Sequence, residues 1–152
     1  MDPKDLAIEY FDEGRVMQLA TLHDGAPKVV SVYYAILNDD PSYVYWMSEP
    51  RRRHSQDIER DFRAAGTVAV KLGQPVIGLQ FTGYASIVTD LGELSEVITR
   101  YNRVHHNTAS GLFERIQKGT NKHLIYRMAI ETLELFDGIH FPDGNTVIIP
   151  LG

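Results

Sequence analysis

An antiparallel β-barrel with a few helices packed outside it is the fold this sequence predicts, and three observations lead there. Six or seven β-type segments can be read along the chain, five of them before residue 90. Short turn signals join them rather than long helical crossovers, which favours antiparallel neighbours. The helical segments sit at the beginning and in the middle, where they can cover the barrel from outside.

Asp2-Pro3 opens a short helix that places Leu6, Ala7, Tyr10 and Phe11 on one side, until Gly14 stops it. Val16 to Leu22 reads as a strand running into Asp24-Gly25, a strong hairpin signal. The returning segment, Lys28 to Leu37, carries Val29, Val30, Val32, Tyr33, Tyr34 and Ile36, residues that suit a pleated and largely buried surface. Asn38 to Pro41 turns the chain into a short aromatic strand, Tyr43 to Met47, which Glu49-Pro50 ends because proline has no N–H for the ladder.

Between Arg51 and Arg63 the composition becomes charged. One short and mostly exposed helix is expected there, with Ile58 and Phe62 as its apolar side. Thr67 to Lys71 and Val76 to Thr89 read as strands. Gly78 and Gly83 inside the second mark a bulge, a bend or a close approach by another backbone or a ligand. Leu94, Val97, Ile98 and Tyr101 keep helical spacing, Asn107 and Gly111 interrupt it, and a weaker helical turn from Leu112 ends at Gly119. Strands Leu124 to Phe136 and Thr146 to Ile149 close the chain. No repeat or linker divides the 152 residues, so residues 1–152 are expected to form one domain, a size that buries about 68–70% of its unfolded surface.

Composition excludes several classes of function. Without cysteine there are no disulfides, thiolate metal sites or cysteine nucleophiles. A net charge of −5 provides no positive field for nucleic acid or an anionic bilayer. Neither a signal peptide nor an apolar run of membrane length is read, so the expected location is cytoplasmic, with no membrane partner. Glycine-rich phosphate fingerprints and the nucleophile elbow are absent. His105 and His106 are adjacent on a helix and diverge by about 100°, so a solvent-facing or helix-terminal pair is expected rather than a metal site. His23 and His140, at turns, are expected to be exposed polar groups.

The cluster Ser48-Glu49-Pro50-Arg51-Arg52-Arg53-His54-Ser55 stands apart. Three consecutive arginines lie at the start of a helix, where backbone N–H groups and the dipole favour an anion, and serine hydroxyls flank them. Two readings stay open on composition: a phosphate cradle, or a charge run pairing with Glu49, Asp57 and Glu59. Tyr33, Tyr34, Tyr43, Tyr45 and Trp46 on neighbouring strands have the chemistry to border a flat heterocycle or to fill a core.

In order and spacing, the strand from Val16, the turn Asp24-Gly25-Ala26-Pro27, the strand reaching Tyr33-Tyr34, the strand Tyr43 to Ser48, Arg51 to Asp61 and Gly78-Leu79-Gln80-Phe81-Thr82-Gly83 resemble the FMN-binding split-barrel family related to pyridoxamine 5′-phosphate oxidase. The likeness covers roughly Val16 to Thr89. It implies a six-stranded barrel, a homodimer and FMN in a groove between the subunits. It further implies that Ser48, Arg53 and His54, with Arg52 adjacent, hold the FMN phosphate. Val30, Ser31 and Val32 would lie along the isoalloxazine ring, and Gln80 would reach the cofactor across the barrel. His54 departs from the family, where lysine is common. The enzyme that names the family also needs basic residues on the second strand and a basic, tryptophan-bearing C-terminal segment. Val30 and Ala35 stand at the strand positions and the chain ends Val147-Ile148-Ile149-Pro150-Leu151-Gly152, so that activity is not expected. A flavin-dependent oxidoreductase of unassigned substrate, with no acid or base identified, is the function implied. Alternatives are a non-catalytic flavin-binding or electron-carrier protein, members of the fold that take a deazaflavin or haem, and a non-flavin interaction domain.

Overall fold

In the computed structural model, which describes residues 2–152, helix α1 (Pro3–Glu13) starts at the Asp2 cap, whose carboxylate accepts from the Lys4 N–H, and stops at Gly14. It buries Leu6, Ala7, Tyr10 and Phe11. Strand β1 (Val16–His23) and β2 (Ala26–Tyr33) form a hairpin whose two turn residues, Asp24 and Gly25, both have positive φ, the conformation this turn demands. A bend at Tyr34 separates β2 from β3 (Ala35–Leu37), and a second turn with positive φ, at Asn38 and Asp39, leads into β4 (Asp40–Ser48). Helix α2 (Arg53–Arg60) then precedes β5 (Arg63–Lys71) and β6 (Ile77–Ile87). Helices α3 (Leu91–Val104) and α4 (Leu112–Lys118) lead to the long β7 (Leu124–Asp137) and a two-residue β8 (Val147–Ile148).

All strand pairs are antiparallel, in the order β2-β1-β5-β6-β7-β4-β3 with β8 beside β7. Because β3 follows β2 after one residue, the two ends of this sheet are joined by the bend at Tyr34. The result is a barrel with an open seam, a split barrel. Trp46, Tyr34, Tyr126, Met17, Leu79 and Leu135 fill its interior, and α1 plugs one side. Tyr34 and Phe11 pack edge to face, and the Tyr34 hydroxyl donates to the Phe11 carbonyl at 2.7 Å. A second core lies under α3, where Leu94, Val97, Ile98 and Tyr101 pack with Tyr45 and Ile125.

Several sequence expectations need correcting. The segment from Lys28 to Leu37 is two strands, and β2 is exposed along most of its length: Val29 is 64% and Tyr33 55% exposed. Its β-branched residues suit a strand, but β2 is an edge and nothing among the described residues covers its outer side. Helix α2 is not mostly exposed. It turns His54, Ser55, Asp57 and Ile58 inward, while Phe62 lies beyond it and is exposed. The glycines of β6 follow the expectation of close backbone approach: a Cβ at Gly78 would overlap the Val68 carbonyl, and one at Gly83 the Ala129 carbonyl beside a bulge. Among the described residues no helix is long and apolar enough to cross a membrane.

Candidate functional site

Strand β4 ends at Ser48 because Glu49-Pro50 leaves the ladder, and the chain then swings into α2. The N-cap of α2, Arg52, is extended and makes no side-chain capping bond, so the first N–H groups of the helix have no capping partner among the described residues. Between this helix start and the outer edge of β2 lies a groove of about 760 Å³, within the size range of small-molecule sites. Val30, Ser31, Val32, Ser48, Arg52, Arg53 and His54 all line it. Residues separated by up to 24 positions are thereby brought to one surface.

The charge-run reading of the basic cluster holds in part. Arg51 is exposed and pairs with Glu49, which also faces His123 at 3.6 Å. Arg53 Nη1 donates to Asp57 Oδ2 at 2.5 Å, one helical turn on. Arg52 makes no ion pair among the described residues and borders the groove. Arg53 keeps its other guanidinium donors for a second acceptor.

His54 is buried, and its Nε2 lies 2.8 Å from Ser48 Oγ. Ser55 Oγ donates to the same oxygen at 3.2 Å, which joins Ser48, His54 and Ser55 in one buried polar cluster. Burial, followed by the charges of Arg53 and Arg52, lowers the His54 pKa. Asp57, 1% exposed, accepts from Thr21 Oγ1 at 2.9 Å and faces His23 Nδ1 at 2.7 Å. Burial alone would raise its pKa, but the His23 and Thr21 hydrogen bonds and the Arg53 charge hold it below the usual carboxylate range. His23 is therefore engaged and half-buried, not a free turn residue.

The opposite end of the groove was not legible as a site. Tyr33 and Tyr101 line it, and the buried His105 ring stands between them, with centroids 5.0 Å and 4.5 Å away. His105 Nε2 donates to the Tyr34 carbonyl at 2.6 Å, pinning the bend between β2 and β3 to the end of α3. His105 is the helix-terminal residue expected, but buried, while His106 is exposed. In the sequence Tyr101 reads only as part of the apolar face of α3. His123 enters from the segment before β7 and carries no local motif.

The remaining sequence candidates lie elsewhere. Gln80 is not in this groove: it projects from the outer face of β6, where its side chain donates to Glu134 at 2.7 Å. Tyr34, Tyr45 and Trp46 are core residues, and Tyr43 lies beneath the Arg127 guanidinium. Of the aromatic strand residues only Tyr33 reaches the groove.

The donor set fits a phosphate monoester. Two guanidiniums, an imidazole, a hydroxyl and an uncapped helical turn converge, and Glu49, the one carboxylate on the lining, is already engaged by Arg51 and His123. The wall from Val30 to Val32 offers a long, weakly polar surface for a ring beside it.

The family model for pyridoxamine 5′-phosphate oxidase matches residues 5–136. Solved structures of similar fold include a conserved hypothetical protein of Mycobacterium tuberculosis, at 18% identity and TM-score 0.73, with 100% of this chain and 93% of that one covered. General Stress Protein 26 of Bacillus anthracis superposes at TM-score 0.67 and 12% identity over 98% of this chain and 100% of that one. A haem-binding protein of Mycobacterium smegmatis reaches TM-score 0.75 at 14% identity, covering 98% of this chain and 59% of that one. Among curated proteins none matches the sequence significantly.

Proposed function

The chain belongs to the pyridoxamine 5′-phosphate oxidase family, and from that premise we propose that it binds FMN along the groove between α2 and β2 and serves as a flavin-dependent oxidoreductase. The observation that carries the reading is the junction of one cationic cradle, Ser48, Arg52, Arg53 and His54, with an exposed strand wall, Val30 to Val32. The cradle holds the phosphate; the wall meets the ring through β2 backbone groups and apolar side chains. Bound FMN supplies hydride or one-electron transfer.

The groove has one cationic cluster, enough for one phosphate. Val30 and Ala35 stand where the enzyme that names the family needs basic residues, which argues against oxidation of pyridoxamine phosphate and for an unphosphorylated small molecule or an electron-transfer partner.

A homodimer completes the reading. The outer face of β1, β5 and β6 carries two shallow hollows of about 350 and 370 Å³, with Ala20, Ala65 and Thr82 at their floor and Arg63, Glu131 and Glu134 among their lining. A second copy seated there would cover Val29, and Gln80 would reach a flavin only from across such an interface. Sedimentation that gives a monomer at micromolar concentration with flavin bound overturns the shared-groove arrangement.

The main test is the visible spectrum of the purified chain with an FMN titration. A yellow protein, or one made yellow and thermally stabilised by FMN, is expected. A colourless protein neither bound nor stabilised by FMN removes the reading, and a deazaflavin titration follows. Reduction of the bound flavin by a supplied donor and its reoxidation by an acceptor separate an enzyme from a flavin carrier. Haem is the second reading. His123, on the groove wall, would be the residue to hold a haem iron, and a haem-binding protein shares the fold. A Soret band on haem addition, with no flavin uptake, would favour it.

A further inference from the structure

We propose that Asp57 is a positioning residue for the flavin phosphate, acting through Arg53, and that it does so by bracing α2 against the strand pair that forms the other wall of the groove. The inference rests on the FMN reading. The Asp57 carboxylate is enclosed, and both oxygens are used: Oδ1 faces His23 Nδ1 at 2.7 Å, while Oδ2 accepts from Thr21 at 2.9 Å and Arg53 at 2.5 Å. Thr21 and His23 belong to β1, where they pair with Lys28 and Ala26 of β2, and Thr21 also pairs with Ala64 of β5. One side chain therefore connects the helix that carries the cradle to the hairpin that carries Val30 to Val32. It holds the Arg53 guanidinium through Nη1 and leaves its other N–H groups for the groove.

A lone arginine at 38% side-chain exposure would sample many rotamers, and ordering it on binding would cost affinity. Tied to a buried carboxylate, it is ordered beforehand. The Asp57 charge taken alone repels a phosphate dianion, so positioning and direct electrostatics predict opposite signs for its removal. That opposition makes the role measurable.

The experiment compares the parent chain with Asp57→Asn, Arg53→Ala and the double variant, titrating each with FMN and with riboflavin at fixed ionic strength. Asparagine keeps the shape and can still bond Thr21 and His23, but it loses the ion pair. In the parent background Asp57→Asn should weaken FMN by roughly tenfold or more, the scale of one charge-assisted hydrogen bond, and leave riboflavin essentially unchanged. In the Arg53→Ala background the same change should cost nothing or strengthen FMN. Equal loss for both flavins, equal loss in both backgrounds, or tighter FMN in the single variant each overturns the proposal.

Should Asp57→Asn fail to fold, nitrogen NMR of the unaltered, FMN-free chain carries the test. The Arg53 guanidinium should show restricted rotation, and free rotation overturns the proposal. A parent chain that binds no FMN ends the underlying reading and this inference with it. One that binds FMN and is indifferent to Asp57 ends the inference alone.

Discussion

Two buried histidines should make the stability of this chain depend on pH near neutrality, and flavin should change that dependence. His54 and His105 both have pKa values lowered from the ordinary 6.5, in each case first by burial. The positive charges of Arg53 and Arg52 add to the effect at His54, and those of Arg15 and His106 at His105, against the carbonyl bond from Tyr34. In the unfolded chain each ring protonates around 6.5, whereas in the folded chain it stays neutral to lower pH. The unfolded state therefore binds more protons below 6.5. Stability is full above that value and falls with pH until the folded rings titrate. Between about pH 7.5 and about 5.5, a histidine that remained fully neutral would cost about 1.4 kcal/mol, and two would cost up to about 2.7 kcal/mol. For a chain of this size that is a drop of roughly 5–10 °C in Tm.

Urea unfolding at fixed ionic strength across this range measures the slope. His54→Gln and His105→Gln, which keep a nitrogen near Ser48 and the Tyr34 carbonyl, should each remove one share. Saturating FMN should cancel the His54 share alone, because a phosphate beside the ring favours its protonated form. Single variants with the slope of the parent would show that other groups titrate. A slope unchanged by FMN would place the phosphate away from His54.

Three further outcomes are expected. Arg53→Ala should weaken FMN about 10- to 100-fold with little effect on riboflavin, whereas Arg51→Ala, at an exposed residue paired with Glu49, should change FMN little because such pairs contribute under about 1 kcal/mol; parallel fluorescence titrations decide. Tyr10→Phe removes the hydroxyl that donates to Asp137 at 2.5 Å, and should lower unfolding free energy by about 1.5–3 kcal/mol in urea. Gly83→Ala, whose Cβ would meet the Ala129 carbonyl, should cost about 1–3 kcal/mol or more, while Gly73→Ala, with only the tip of Lys71 nearby, should leave the thermal midpoint near that of the parent.

Much of the framework is legible from local chemistry. Asp2-Pro3 and Gly14 bound α1, Asp24-Gly25 sets the first hairpin, and the spacing of Leu94, Val97, Ile98 and Tyr101 marks the buried side of α3. What was misread depends on neighbours far away in sequence. Whether Val29 is covered is decided by the place of β2 at the end of the strand order, not by its side chain. Helix α2 hides its inner face from any hydrophobic pattern because that face is largely polar, with His54, Ser55 and Asp57 satisfied by one another, by Arg53 and by β1 and β4. Gln80 illustrates the reverse: Leu79 and Phe81 on either side point inward, so alternation alone directs Gln80 outward. The cradle residues were readable as a run, but their pairing with Asp57 and Glu49 required the fold.

The seam at Tyr34 bears on how the chain avoids aggregation. On its groove side β2 has no neighbouring strand among the described residues to pair with, and its outward residues include Val29 and Tyr33. An apolar strand with a free row of amides and carbonyls is a template for adding further strands from other chains. On the proposed reading, flavin lies along Val30 to Val32, and a second copy covers the adjoining face. Loading and pairing then act as guards against clumping, and quality control would see the empty, unpaired chain as its substrate.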